Sequence, residues 1–338
     1  MKTVSILLAL TGLALITGFT AWLGLGAVLH SLGSVGPFGF AALVAAQLAS
    51  DVVMAVAWAV ACPRIGLYRL LRARLVREGG TTCLPFSQLG GILMGMRATC
   101  FSATRRARTI AWPEAAAANV VDLTTEVIGQ ILFVLLGLLF LLDHRPDSSL
   151  AGPVTIGMAL MTVAIIAFIW AQRGASGTVR RGIDLLGARI AGQWRGLLQD
   201  GFDSVQERLN GFYAQPWRIV GSSLIHFVSW IMAAGWAWLG YHLLGAEIGF
   251  GEAMAIEGVA SGVVSVSFLV PAALGVQEAA YVTLGSLFGI DPHLSFSLSL
   301  LRRGRDLAIG VPVLLVWQAL EIRHLRKPAA AAVPGAIA

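Results

Sequence analysis

The chain has 338 residues, 57% of them hydrophobic and only 12% charged, with a formal net charge of +6 and a mean hydropathy of +0.78. A soluble domain carries roughly 25% charged residues, so too little polar surface remains here for a water-soluble body, and lipid must be the solvent for most of the chain. A crossing takes ~20 apolar residues, which excludes a sizeable soluble domain beside the spans, and the basic residues lie in blocks next to apolar runs, the pattern of topology signals and not of nucleic-acid binding.

In chain order, the apolar run 4–29 is too long for the core of a signal peptide and reads as a first transmembrane helix. Residues 37–61 form the second span, with Pro37 suited to its first turn. The stretch 84–104 contains Pro85, Gly90, Gly91, Gly95 and Arg97 and has arginine blocks at both ends. A single crossing would strand one block on the wrong side, so the pattern predicts a helical hairpin that dips into the bilayer and returns. Residues 113–142 are the third span, 143–149 an external loop, and 153–171 the fourth span.

Between the halves, the segment 172–218 repeats Val179, Ile183, Leu186, Ile190, Trp194, Leu197, Val205, Leu209 and Phe212 at helical spacing, with charges at the other positions. It reads as an amphipathic helix or helix pair on the cytoplasmic membrane surface, either a plain connector or a partner-binding element. Residues 219–244 form the fifth span. The stretch 253–290, with Gly262, Pro271, Gly275 and Glu278, is a second dipping hairpin or two full spans, and 294–320 is the last span. The tail 322–338 is expected to be cytoplasmic, and its Ala- and Pro-rich part, 328–338, to be disordered.

The arginines orient these elements. Arg64, Arg69, Arg72, Arg74 and Arg77, then Arg105, Arg106 and Arg108, then the seven from Arg173 to Arg218, then Arg323 and Arg326 all fall on one side, whereas the opposite connections contain only Arg145. That side is cytoplasmic by the positive-inside rule, with both termini inside, as in a multi-pass membrane protein. The fold class expected is an all-α polytopic membrane protein of about six transmembrane helices plus two re-entrant hairpins, eight spans being the alternative. The halves 1–142 and 150–321 have the same order of elements but start from opposite sides. That is the inverted repeat of secondary transporters, whose sites lie where discontinuous helices meet.

An ionisable group at mid-bilayer costs ~2.5–3.5 kcal/mol on insertion scales, so each one within a span is a site candidate. In the first half these are Asp51, Arg97, Asp122 and Glu126, and in the second Glu257, Glu278, Arg302, Arg303, Arg305 and Asp306. Asp122 and Glu126 share a helix face and need an arginine, a proton or a cationic group, for example Arg97 with Glu126. Arg302 and Asp306, four apart, can pair within one helix, leaving Arg303 and Arg305 available. Asp51 is the weakest candidate, because Gln47 on its own helix can solvate it. Glu278 follows a predicted helix break, and Arg97 is its counterpart near the first break. Gln88 and Gln277 sit beside the two breaks.

Chemistry beyond binding has little sequence support. The lysines, Lys2 and Lys327, exclude an internal phosphate-binding loop. Cys62, Cys83 and Cys100 form no Cys-x-x-Cys pair. The six histidines have no metal-ligand spacing, His226 and His242 reading as packed residues with local hydrogen bonds. No Gly-x-Ser-x-Gly elbow occurs. No cofactor and no enzymatic activity are expected.

Three runs carry a likeness: Arg77-Glu78-Gly79-Gly80, then Pro85 to Gly91, and later Pro271, Leu274-Gly275-Val276-Gln277-Glu278 ahead of an arginine-bearing helix. They resemble the lysylphosphatidylglycerol-synthase transmembrane (flippase-like) family over about residues 1–325. Leu75 to Gly80 followed by Leu84 to Gln88 is most similar to its hopanoid-biosynthesis-associated branch. The family commonly has Pro-Gly-Gly-Leu-Gly where this chain has Pro271-Ala272-Ala273-Leu274-Gly275, a departure expected to stiffen that break. The resemblance implies lipid translocation or handling. Membrane lipids such as hopanoids are then the partners, with Arg97, Asp122, Glu126, Glu278 and Arg302 to Asp306 along the route. The rivals are a membrane-embedded lipid-modifying enzyme using Asp122 and Glu126, and a scaffold for lipid-biosynthesis enzymes.

Overall fold

The computed structural model describes residues 25–83, 87–101, 109–144, 193–266, 273 and 275–326, with isolated helical positions at 156, 159, 160 and 163. The expected first span at 4–29 and fourth span at 153–171 lie mostly outside these residues, as do most of the 143–149 loop, the segment 172–192 and the tail beyond 326. Among the described residues there are nine helices: α1 Leu25–Ala61, α2 Leu67–Cys83, α3 Ser87–Cys100, α4 Trp112–His144, α5 Gln193–Tyr213, α6 Pro216–Leu243, α7 Phe250–Val266, α8 Val276–Leu287 and α9 Pro292–Arg326. The protein is an all-α polytopic membrane protein. Three helices are long and apolar enough to cross a bilayer on those grounds, Gly33–Ala61, Trp112–His144 and Pro216–Leu243.

Local chemistry sets the helix starts. Pro216 opens α6, Pro292 opens α9, and Pro113 lies in the first turn of α4, where a missing N–H leaves no bond unmade. Gly36, at φ 68°, breaks α1 just before Pro37, and Pro37 opens the longer of its two segments. At α8 the Gly275 N–H donates to the Glu278 carboxylate at 2.8 Å, closing the helix N-terminus from within.

Each half presents a long helix, a helical hairpin and a second long helix: α1, α2–α3, α4 and then α6, α7–α8, α9. The hairpins pack crosswise, α2 against α9 and α7 against α4, while α1 lies along α6. Glycines permit these approaches. A Cβ on Gly80 would sit 2.9 Å from the Gly91 Cα within the first hairpin, and one on Gly137 of α4 would sit 2.8 Å from the Gly258 Cα of α7. Backbones this close are the usual means of association between helices in lipid.

One apolar core, built around Leu43, Tyr241, Ile256, Tyr281 and Leu298, ties α1 to α6 and to the second hairpin. Another, around Trp58, Leu70, Val76, Val121 and Trp317, ties α1 and α9 to the first hairpin and α4. Trp317 is buried against Phe101, with ring centroids 5.1 Å apart. In α5, Leu209 and Phe212 pack against this second core while Asp203, Glu207 and Arg208 are exposed, the sidedness read from the sequence.

The first hairpin differs from the expectation in extent. Its arms are Leu67–Cys83 and Ser87–Cys100, so it begins well before residue 84, and Arg69, Arg72, Arg74 and Arg77 belong to its first arm. Arginines counted as cytoplasmic topology signals thus lie in a packed helix, with Arg74 and Arg77 each only 2% exposed. A charged helix can pack there because α4 supplies carboxylates opposite it.

Candidate functional site

Two buried ionic clusters face a common cavity between the halves. In the first, Arg74 makes a fork onto Glu126, Nη1 to Oε2 and Nη2 to Oε1, both at 2.7 Å. Arg77 Nη2 reaches Glu126 at 2.9 Å and Asp122 at 2.8 Å, and its guanidinium lies 5.3 Å from the centre of the Trp58 ring. Glu78, one turn beyond Arg74, lies 3.2 Å from it. Asp122 is fully buried and meets His226 Nε2 of α6 at 3.2 Å. The geometry follows from helix periodicity: Arg74, Arg77 and Glu78 share a face of α2, and Asp122 and Glu126 share a face of α4.

The second cluster reverses the charges. Glu257, on hairpin arm α7, is fully buried and pairs with Arg302 of α9, and the Tyr281 hydroxyl of α8 donates to the same carboxylate. Asp122 lies ten residues into α4, which begins at Trp112, and Arg302 lies ten residues into α9, which begins at Pro292. Hairpin arginines therefore meet helix carboxylates in one half, and a hairpin carboxylate meets a helix arginine in the other. Nearby, Arg305 is bound to Asp306 at 2.7 Å and stacks over Trp236 at 4.2 Å.

Between the clusters lies a cavity of about 170 Å³. Gln47, Ser50 and Asp51 of α1, Arg74 and Glu78 of α2, Glu126 of α4, and Arg302, Arg305 and Asp306 of α9 line it, with Met54, Trp230 and Ile309 among its apolar walls. Six carboxylates (Asp51, Glu78, Asp122, Glu126, Glu257, Asp306) stand against four guanidiniums (Arg74, Arg77, Arg302, Arg305) in the cavity wall and its first neighbours. An ion-rich wall of this kind can bind a charged or polar group by exchanging partners, and among the described residues two buried guanidinium nitrogens, Arg74 Nε and Arg77 Nη1, have no hydrogen-bond partner.

The structure brings together only some of the residues expected to cooperate. Glu126, Arg302, Arg305 and Asp306 line the cavity, and Asp122 stands directly behind Glu126. Arg97 does not meet Glu126. It is half exposed and its Nε donates to Glu321 at 3.0 Å, because the carboxylates of α4 are already held by Arg74 and Arg77. Nor do Arg302 and Asp306 pair; each has a closer partner, Glu257 and Arg305 respectively. Arg303 and Glu278 bind each other at 2.6 Å beside the second hairpin's break, outside the cavity lining. Gln277 is buried, donating to the Ser299 carbonyl at 3.3 Å, and the side chain of Gln88 lies outside the described residues.

Sequence reasoning missed Arg74, Arg77 and Glu78, whose i, i+3, i+4 spacing beside the buried Leu70, Ala73 and Val76 is the available signal. It also read His226 as locally bonded. His242 is so, to the Trp238 carbonyl at 2.9 Å, but His226 reaches across to α4. Asp51 is held by Gln47 at 3.0 Å, as expected. At the second break, Ala273 occupies φ 48° where the resembled pattern has glycine, a conformation that costs an L-residue roughly 1–2 kcal/mol.

The family model for the lysylphosphatidylglycerol synthase transmembrane region matches residues 9–313, nearly the whole chain. The chain belongs to that family. Membership in the lysylphosphatidylglycerol synthase transmembrane family, with the apolar helices, points to a multi-pass membrane protein of lipid metabolism or transport. The comparisons with curated proteins and with solved structures each gave no match. Within this family member, the match spans both hairpins and the cavity between them.

Proposed function

We propose that this protein is a lipid flippase or lipid-transport protein of a bacterial inner membrane. In this reading it moves a polar-headed lipid linked to hopanoid biosynthesis and performs no chemistry on it. The observation carrying the reading is the cavity itself, in which charged residues from both halves face one another between helices apolar enough to span a bilayer. A headgroup entering it finds guanidinium donors from Arg302 and Arg305 and carboxylate acceptors from Glu78, Glu126 and Asp306, while its tails stay in lipid. Rocking of one half against the other then carries the headgroup past these charges, in the manner of transporters built from paired halves. Both termini are assigned to the cytoplasm on the arginine distribution, and lipid-biosynthesis enzymes are candidate partners. The acid–base reading of Asp122 and Glu126 has less support, since arginines engage both carboxylates.

The test is a scrambling assay with the purified protein in liposomes carrying tail-labelled phosphatidylglycerol, phosphatidylethanolamine or a hopanoid. The expected result is leaflet exchange of at least one lipid, reduced about tenfold or more in Arg305→Gln, which removes a charged contact of roughly 1.5–3 kcal/mol. Arg97→Gln, away from the cavity, should exchange lipid as the unaltered chain does. No exchange of any of the three, or equal rates in Arg305→Gln, would count against the reading.

A further inference from the structure

Five of the six carboxylates around the cavity have an arginine in contact: Glu78, Asp122 and Glu126 through Arg74 or Arg77, Glu257 through Arg302, and Asp306 through Arg305. Asp51 is the exception. It is 3% exposed, lines the cavity from the middle of the second expected span, and has Gln47 as its partner among the described residues, an amide donor that reaches only Oδ1. The charged groups facing it from the packed elements are Arg74 and Glu78 of α2, Glu126 of α4, and Arg302, Arg305 and Asp306 of α9, three cations against three anions before Asp51 itself is counted. On α6 the facing wall is uncharged, and the Trp230 indole N–H there has no partner among the described residues.

A carboxylate enclosed among already paired charges in a lipid-embedded body adds an uncompensated charge when ionised, and a bound proton removes it. Asp51 lies on the cavity wall beside those pairs, so a charged headgroup that rearranges them would alter the charge balance around it.

We propose that Asp51 is a proton-binding site of the cavity and that headgroup movement is coupled to its protonation. The coupling rests on the transport reading above; the proton site does not. Protonated, Asp51 lets the arginines of α2 and α9 stay with their own carboxylates and the cavity stays neutral. Deprotonated, it competes for Arg74 or Arg305, loosening the pairs that join the first half to the second.

Two measurements test this on the full chain. In proteoliposomes with the membrane potential clamped, a gradient of one pH unit should accumulate tail-labelled phosphatidylglycerol or phosphatidylethanolamine in one leaflet by up to about tenfold per coupled proton. Asp51→Asn should leave the labelled lipid evenly distributed, whatever its residual rate. In nanodiscs, infrared difference spectra across neutral pH should show a carboxylic acid band that Asp51→Asn lacks and Asp51→Glu retains at a shifted position. Exchange without accumulation in the unaltered chain, or accumulation driven by sodium instead of protons, overturns the coupling. A band that survives in Asp51→Asn overturns the proton site. Should no lipid move while the band behaves as expected, the transport reading fails and the proton site stands.

Discussion

Glu126→Gln is expected to destabilise the protein by about 3–5 kcal/mol, the range for removing one partner of a buried ion pair. The carboxylate receives three guanidinium contacts, two from Arg74 and one from Arg77, and both arginines are 2% exposed. After the substitution Asp122 and the half-exposed Glu78 must balance two buried cations, and only Asp122 is buried as deeply. Equilibrium unfolding in detergent, followed by tryptophan fluorescence, measures the loss. The same measurement on Arg97→Gln should show under ~1 kcal/mol, since its pair with Glu321 is half exposed. A double-mutant cycle separates the two arrangements. Arg74 and Glu126 should couple by about 0.5–3 kcal/mol and Arg97 and Glu126 not measurably. A strong Arg97–Glu126 coupling would restore the arrangement expected from the sequence and contradict the structure.

Arg302→Met is expected to combine a stability loss of about 3–5 kcal/mol with loss of lipid exchange. Arg302 binds Glu257 and Tyr281 with one guanidinium nitrogen and lines the cavity. Without it, Glu257 is a fully buried carboxylate whose remaining partner is a hydroxyl. The stability part should be recovered by adding Glu257→Gln, which removes the orphaned charge while keeping its volume. Lipid exchange should not recover, because the cavity still lacks a cation. Arg302→Lys should be intermediate, since an ammonium keeps the charge but is more strongly hydrated than a guanidinium and so less suited to a buried pair. Recovery of exchange together with stability in the double variant would make Arg302 a purely structural residue.

The legible parts of the fold are those written in local pattern. Apolar runs of membrane length identify α1, α4 and α6, and prolines mark the starts of α4, α6 and α9 within a few residues. Gly275 and Glu278 likewise declare the second break, because the helix is capped by its own third residue. The first hairpin was misplaced for a physical reason. Its leading arm carries four arginines, and the rule assigning such residues to the cytoplasm takes lipid or water as the only alternatives. A third environment, the carboxylate-bearing face of α4, is invisible until the two helices are known to meet.

The same reasoning separates the site residues that were found from those that were missed. An ionisable residue inside an apolar run is conspicuous, which exposes Asp122, Glu126, Glu257 and Arg302. Their partners come from elements distant in sequence: Arg74 pairs with Glu126 across 52 residues and Glu257 with Arg302 across 45. Spacing within one helix therefore suggested the wrong pair for Arg302, whose i+4 neighbour Asp306 is held by Arg305. Opposite signs at corresponding depths of α4 and α9 likewise became visible only once both hairpins were placed.

The account depends on a polar cavity shared by the two halves and open to water at some stage of its cycle. Substituted-cysteine labelling tests this most directly. With Cys62, Cys83 and Cys100 replaced, cysteines are introduced at Thr82 and Ala233, both on the cavity wall, and at Leu138, a buried apolar position of α4. The expected result is reaction of the first two with a charged, membrane-impermeant thiol reagent, protection of both by added lipid substrate, and no reaction at Leu138. Failure of both cavity positions to react from either face of the membrane would contradict it.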